Sequence, residues 1–355
     1  MFNRDMPLGN RTLSSGGKRM VDGLASSLSR PFRAARQFSL LTLRQQLSAV
    51  FNALVLPLIA AGLFLGLWSL GSRAVVTSLG QLPGPLQVAQ QAHTLFVSEP
   101  AEQQLKAQAF YERQAQKNAE KLAEDPDARI RVRPYTGKPT YVSQIGRSLQ
   151  TVFTGFILAS LIAIPLGIVC GLSPKLYSAL NPLIQLFKPI SPLAWLPIVT
   201  LVVSAVYVTD SPLLDKAFIT SAVTVTLCSL WPTLVNTIVG VSSIDRDLIN
   251  VGRVLQLGKL TTVFKITLPA ALPLIFTGLR ISLGIGWMVL IAAEMLAQNP
   301  GLGKFVWDEF QNGSSQSLSR ILVAVLTIGV IGFVLDRLML SLQSAFSYDR
   351  DAVIR

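Results

Sequence analysis

Long stretches without a charged residue dominate this chain. Four stretches, residues 45–72, 148–174, 189–209 and 217–244, contain no Asp, Glu, Lys or Arg. Each is longer than the roughly 20 residues that a helix needs to cross about 30 Å of hydrocarbon. Because backbone N–H and C=O groups cannot stay unpaired in lipid, each stretch is predicted to be a transmembrane helix.

Two further apolar stretches contain ionisable residues. Residues 272–296 include Arg280 and Glu294, and residues 321–342 include Asp336 and Arg337. We interpret both as spans whose charged groups reach the interface or face protein. The pattern therefore predicts an all-α membrane protein of about six transmembrane helices, with five as the alternative count.

Composition and charge agree with this fold class. Half of the 355 residues are hydrophobic and 14% are charged, which is too little charge for a soluble domain of this size. The net charge of +12 does not indicate a nucleic-acid partner, because the basic residues form no stripe with aromatic residues. Eight Lys and Arg but only two acids precede residue 49, which predicts a cytoplasmic N-terminus. Six spans would return the C-terminus to the same side.

The predicted organisation has five parts along the chain. Residues 1–44 form a basic cytoplasmic arm, and residues 45–72 form the first transmembrane helix. Residues 73–143 form a periplasmic insert, whose Gln-, Ala-, Glu- and Lys-rich part predicts a solvated helix over about 99–124. Residues 144–345 form a core of five helices with a cytoplasmic loop at 243–268, and residues 346–355 form a cytoplasmic tail. We interpret the insert as a spacer, with partner docking as the alternative.

The chain lacks the residue patterns of an enzyme. It contains no GxxxxGK[ST] phosphate loop, no metal-spaced cysteines and a single histidine, His93. Cys170 and Cys228 fall inside predicted spans, where cysteine is usually a packing residue. Acids are scarce in the spans, which argues against a proton-coupled secondary carrier, although that class remains a distant alternative. We therefore expect no cofactor or metal on this chain and a separate source of energy.

The loop between the fourth and fifth predicted spans carries the most informative pattern. Ile244, Leu248, Val251 and Leu255 recur at helical spacing. A break is predicted at Gly258 and Lys259, so the loop should form two short amphipathic helices with a bend. A soluble partner with a surface groove would hold such an element by helix-in-groove packing.

This loop resembles the EAA loop of binding-protein-dependent ABC importer permeases. The family pattern is Glu-Ala-Ala, three residues, Gly, nine residues and Ile-x-Leu-Pro. Ile266, Leu268 and Pro269 match its end. The chain departs from the pattern elsewhere: the Glu-Ala-Ala positions hold Asn250, Val251 and Gly252, and the glycine position holds Gln256.

Four further segments resemble the nitrate/sulfonate/bicarbonate branch of these permeases, and nitrate permeases in particular. They are Pro-Leu-Ala-Trp-Leu-Pro at 192–197, Phe-Thr-Gly-Leu-Arg at 276–280, Ala-Ala-Glu-Met at 292–295 and Gly-Leu-Gly-Lys-Phe-Val-Trp-Asp at 301–308. The resemblance covers about residues 145–343. It implies the type I importer fold in the bacterial inner membrane, with small inorganic anions as cargo, nitrate or nitrite first. Bicarbonate, cyanate and a sulfonate such as taurine are the alternatives.

The resemblance also implies partners. It predicts two permease copies or a close pair, two cytoplasmic ATPase subunits that use ATP and Mg, and a periplasmic or lipid-anchored anion-binding protein. The residues expected to couple to the ATPase are Asn250, Val251, Gly252, Gln256, Gly258, Ile266, Leu268 and Pro269.

A path for nitrate should offer hydrogen-bond donors rather than fixed cations, because strong cations would trap a weakly hydrated planar anion. Buried Ser and Thr side chains often bond to their own helix instead, so each candidate has a structural alternative. Glu294 would repel an anion, so we expect it to be protonated or paired, holding an external gate or serving structure alone. The candidate path residues are Trp195, Thr200, Thr226, Ser229, Asn236, Ser282, Trp287 and Glu294.

Overall fold

The computed structural model describes residues 51, 55–77, 80–125, 130, 132–208, 214–314 and 316–346. The predicted basic arm and almost all of the predicted tail lie outside these residues. The chain divides into two compact units, residues 1–71 and 72–355. The helices are α1 (Leu56–Ala74), α2 (Pro85–His93), α3 (Glu99–Glu124), α4 (Tyr141–Leu172), α5 (Pro174–Phe187), α6 (Pro192–Val206), α7 (Lys216–Ser242), α8 (Arg246–Val254), α9 (Lys259–Thr262), α10 (Leu268–Ala297), α11 (Leu302–Asn312) and α12 (Ser317–Phe346).

The described β-structure is one small hairpin after α1. Strand β1 (Val76–Thr77) pairs with β2 (Gly80–Gln81) in antiparallel register, with Val76 opposite Gln81. Gly80 has a φ of +116°, which only glycine adopts without strain. The hairpin thus turns the chain from α1 towards α2.

Five helices in the described part of the chain are long and apolar enough to cross a membrane. They are α1, α4, α7, the continuous α9–α10 helix over Lys259–Ala297, and α12. The third predicted span differs from the prediction. Its helix α6 has 15 residues and so reaches only about 22 Å. Helices α5 and α6 are bent by 99° and give a sixth span only if the pair crosses together.

Proline explains this bend. Pro189 lies in the break and Pro192 begins α6, and neither can donate a backbone N–H to continue the helix. A gap between charged residues locates an apolar segment but does not reveal where the backbone turns. The count of five to six spans predicted from the sequence is confirmed, whereas the segment predicted as the third span, residues 189–209, contains a helix of only 15 residues.

Helix α7 forms the centre of the core, packed between α4 and α10. Small residues bring these helices together: a Cβ at Gly167 of α4 would lie 2.6 Å from the Cβ of Thr237. On the other side, a Cβ at Gly278 of α10 would lie 2.8 Å from the Cβ of Asn236. In lipid, helices associate through such close van der Waals packing, because hydrocarbon offers no hydrophobic driving force between them.

Two charged side chains in the membrane helices pair with each other. Arg280 of α10 donates from Nε and Nη2 to the two carboxylate oxygens of Asp336 of α12, at 2.5 and 3.0 Å. The guanidinium of Arg337 lies 5.1 Å from the ring centroid of Phe333. The prediction that these charged groups face protein is therefore correct for Arg280 and Asp336. The pair joins α10 to α12 and removes an isolated charge from the apolar region.

Two prolines follow a widened helical turn. Pro100 comes after the π-turn Thr94–Ser98, and Pro269 comes after the π-turn Val263–Thr267. The backbone stays in the right-handed helical region through both turns, as at Ser98 and Leu268. The residue pattern Ile-x-Leu-Pro in the loop therefore marks a π-turn within a continuous helix rather than a helix end.

Candidate functional site

The loop before α10 contains one short helix and one helical extension. Asp245 caps α8, its carboxylate accepting a hydrogen bond from the backbone N–H of Asp247 at 3.0 Å. Helix α8 ends at Val254 and α9 begins at Lys259 with Gly258 as its N-cap, so the predicted break at Gly258 and Lys259 is present but begins earlier, at Leu255. The predicted second helix is also not separate, because α9 continues without a break into α10.

Gln256 makes the turn after α8. Its φ is +50°, in the left-handed region that side chains usually avoid. Its N–H donates to the carbonyl of Arg253 and the N–H of Leu257 donates to the carbonyl of Gly252, both at 3.0 Å. This is a Schellman motif with Gln256 at the position that glycine usually occupies. The glycine of the family pattern falls on Gln256, and Gln256 makes in this chain the left-handed turn that glycine most often makes at a helix end.

Gly252 is the point where α8 meets the extension of α10. A Cβ at Gly252 would lie 3.0 Å from Cδ1 of Ile266 and 3.6 Å from Cγ2 of Thr262. Leu268 packs further along, against the buried cluster of Val241, Ala271 and Ile275. The structure thus brings Gly252 and Ile266 together and connects Leu268 to the membrane core.

The same loop exposes apolar side chains. Large exposed apolar residues on a polar loop indicate a surface that contacts another molecule. Of the other predicted coupling residues, Asn250, Gln256, Gly258 and Pro269 are exposed to solvent. The exposed fractions of the apolar residues are 51% for Val251, 81% for Val254, 63% for Leu255, 75% for Leu260 and 66% for Phe264.

A hydroxyl of α10 enters the hydrogen-bond ladder of α7. Ser282 Oγ donates to the carbonyl of Ser229 at 2.5 Å and accepts from the N–H of Thr233 at 3.1 Å. A regular helix would pair those two backbone groups with each other. The insertion lies beside Pro232, where the ladder already lacks a donor. Thr233 was not among the residues predicted from the sequence, where only its position after this proline marks it.

Most of the other predicted path residues donate to backbone carbonyls of this chain. Thr226 Oγ1 donates to the carbonyls of Ala222 and Gly155, at 2.8 and 3.1 Å. Their role in a path stays a prediction. The remaining bonds run from Thr200 to Leu196, from Ser229 to Val225, from Asn236 to Pro232, and from the indole N–H of Trp287 to Ile328.

Trp195 is different from this group. Its indole N–H is buried and has no hydrogen-bond partner among the described residues. The ring stacks on Phe187 of α5, with centroids 6.0 Å apart, and Phe187 also stacks on Trp231 of α7 at 6.2 Å. An unpartnered buried donor is costly and therefore needs an explanation.

Glu294 is completely buried and fastens the start of α11. Its carboxylate accepts hydrogen bonds from Ser148 Oγ at 2.8 Å and from the N–H of Gly303 at 2.9 Å. Ser148 Oγ in turn accepts from the N–H of Leu302 at 2.9 Å. The N-terminus of α11 thus faces this carboxyl group, an arrangement that favours its negative form. Ser148 was missed because the contact spans 146 positions in the sequence.

Glycine at two positions of the start of α11 makes this approach possible. A Cβ at Gly303 would lie 2.8 Å from the Cβ of Glu294, and a Cβ at Gly301 would collide with the carboxylate itself. Steric contact with Glu294 therefore explains why glycine occupies positions 301 and 303. Glu294 is thus hydrogen-bonded within the chain, and its expected protonation or pairing and its role in an external gate stay predictions.

Comparison with known proteins identifies the class. Residues 163–348 match the family described as the binding-protein-dependent transport system inner membrane component. The chain belongs to this family and is a multi-pass membrane permease of the ABC importer type. A chain of the inward-facing methionine ABC transporter MetNI has a similar fold, with a TM-score of 0.50 and 16% identity over 58% of this chain and 96% of its own length.

Curated relatives are more similar in sequence. The nitrate import permease NrtB of Synechocystis sp. is 40% identical over 201 residues, which cover 57% of this chain and 68% of that protein. The bicarbonate transport system permease CmpB of Synechococcus elongatus is 41% identical over 197 residues, which cover 55% of this chain and 66% of that protein. The chain thus spans about two thirds of the length of these relatives.

The left-handed turn gives a prediction. Gln256→Gly should keep or raise stability by about 1 kcal/mol, because glycine adopts the positive φ without strain. Gln256→Val should lower stability by a similar amount or more, since a β-branched residue is poorly tolerated there. Apparent thermal unfolding of the purified protein measures both. Equal midpoints for the two variants would contradict the role of this turn.

Proposed function

We propose that this chain is the permease subunit of an ATP-driven importer for nitrate or nitrite. The loop at 243–268, which we call the coupling loop, carries this proposal. It exposes apolar side chains, and it lies at the end of the α9–α10 helix, which continues through the core. In the proposed topology both termini and this loop are cytoplasmic. Two copies of the chain associate with two ATPase subunits, which bind the ATP and Mg, and with a periplasmic or lipid-anchored anion-binding protein.

The mechanism follows the contacts of the loop. A movement of the ATPase subunits displaces α8. Gly252 of α8 lies against Ile266, so α8 pushes on Ile266. Because α9 and α10 are one helix, the displacement continues along α10. Ser282 then transmits the displacement to α7, because its hydroxyl bonds to backbone groups of α7 beside Pro232. Alternating access results from such shifts between packed helices.

The choice of nitrate as the cargo needs an argument beyond family membership. Relatives of similar identity are named for nitrate and for bicarbonate. Nitrate is favoured by the resemblance of the four segments named above to nitrate permeases in particular, and by the pairing of Arg280 with Asp336, which neutralises its charge. A path built from neutral donors suits a weakly hydrated anion. Bicarbonate, cyanate and a sulfonate such as taurine remain alternative cargoes for the same machine, and a secondary carrier is the distant alternative.

Reconstituted vesicles test this function. The chain is reconstituted with its ATPase and binding protein, and uptake of labelled nitrate, nitrite, bicarbonate, cyanate and taurine is compared with and without ATP. We expect ATP-dependent accumulation of nitrate or nitrite. Gly252→Trp should insert into vesicles but abolish uptake, because its ring would separate α8 from Ile266. Uptake that survives ATP depletion, or normal uptake by this variant, would contradict the proposal.

Trp195 is the strongest candidate for direct contact with the anion. Other predicted donors are used by carbonyls of the chain, whereas its N–H has no acceptor among the described residues. We propose that this N–H binds the passing anion when α5, α6 and α7 shift.

Trp195→Phe tests this contact, since it keeps an aromatic ring at this position but removes the N–H together with the five-membered part of the indole. The KM for uptake should rise about tenfold, the value of one hydrogen bond to a charged group. Trp287→Phe is the matched control: its N–H already serves Ile328, so the variant should lose stability rather than affinity. An unchanged KM in Trp195→Phe would remove this residue from the path.

Glu294 is proposed to hold an external gate formed by α11. Glu294→Gln should slow uptake about tenfold at one or more pH values, because the amide cannot replace both hydrogen bonds to the carboxylate. Uptake is measured over a pH series in the same vesicles. Rates equal to those of the unmodified protein at every pH would limit Glu294 to a structural role.

A further inference from the structure

The insert is anchored to the core ahead of its polar helix. Val88 of α2 and Leu95 of the following π-turn are buried, with 3% and 0% exposure. The ring of Phe96 meets Tyr141 edge-on at 5.1 Å, and Tyr141 meets Phe305 of α11 at 5.0 Å. These aromatic contacts connect the insert to α4 and α11. The insert lies outside the family match at 163–348.

A charged cluster reinforces this anchor. Arg320 at the start of α12 donates from Nε to Glu309 of α11 at 2.7 Å, and from both Nη atoms to the carboxylate of Glu99. Ser317 Oγ also donates to Glu309, at 3.1 Å. The guanidinium carbon lies 5.5 Å from the ring centroid of Phe305. Arg320 and Glu309 side chains are only 12% and 6% exposed, so water screens this cluster little.

The cluster and Glu294 fasten the same short helix. Helix α11 is held at its N-terminus by Glu294 and near its C-terminus by Glu309. With 11 residues it extends about 16 Å, which is too short to cross a membrane. It also lies at the opposite end of α10 from the coupling loop.

We infer that the insert positions α11 through Arg320. The guanidinium is planar, and its N–H groups point in fixed directions. When Glu99 binds the two Nη groups of Arg320, the direction of the Nε–H group is fixed as well. This Nε–H donates to Glu309 and so fixes the position of α11. Arg320 is thus a positioning residue, and the insert is a strap that fixes α11 rather than a spacer. Its effect on transport rests on the function proposed above, whereas the contact itself does not.

Hydrogen–deuterium exchange on the full chain in lipid nanodiscs tests the strap. Glu99→Ala removes the acceptor of the Nη groups and should raise amide exchange in residues 302–312 about tenfold. Glu102→Ala is the matched control on the same helix. This variant breaks the 2.7 Å ion pair between Glu102 and Lys106. Both side chains are more than half exposed, so the loss should leave the exchange of residues 302–312 unchanged.

Two further measurements make the result decisive. Arg320→Lys keeps the positive charge but loses the planar guanidinium that binds Glu99 and Glu309 together. It should therefore raise exchange in α11 as Glu99→Ala does. Exchange in α7 reports whether each variant is folded and should stay as in the unmodified protein. Faster exchange confined to the insert, with α11 protected as before, would overturn the inference. If the vesicles accumulate none of the tested anions, the proposed function fails while the exchange result stands.

Discussion

The close approach of α7 to its two neighbours is the contact on which the rest of the molecule depends. Gly167 of α4 and Gly278 of α10 leave no space for a side chain, so backbones meet where lipid would otherwise enter. This proximity lets Ser282 reach the ladder of α7 beside Pro232. A polar link of this kind, formed between helices that cannot separate easily, couples their movements more tightly than apolar contact does.

Helix α10 connects two sites with different tasks. Its extension carries the loop residue Ile266, and its other end carries Glu294, which holds α11. A span of this length, about 58 Å from Lys259 to Ala297 at 1.5 Å per residue, would transmit displacement between the two sides of a membrane. The Arg280–Asp336 pair ties its middle to α12, so α10 and α12 should move together.

The sequence predicted the parts of this fold that local composition determines. Uncharged runs located the apolar segments, and the spacing from Asn250 to Pro269 located the loop for which we propose a coupling role. Contacts between distant residues were beyond that reasoning: Ser148 meets Glu294 across 146 positions, and Arg320 meets Glu99 across 221. An uncharged run does not show where its backbone bends, so the 99° angle between α5 and α6 required the structure. The unpartnered N–H of Trp195 required atomic positions.

The turn at Gln256 shows that a helix can end in the left-handed conformation without glycine. A comparison of residue types scores this position as a mismatch, because the expected glycine is absent. The φ of +50° nevertheless closes the pair of backbone hydrogen bonds that a glycine commonly closes at a helix end. A mismatch to a residue pattern therefore does not by itself imply a different main-chain conformation.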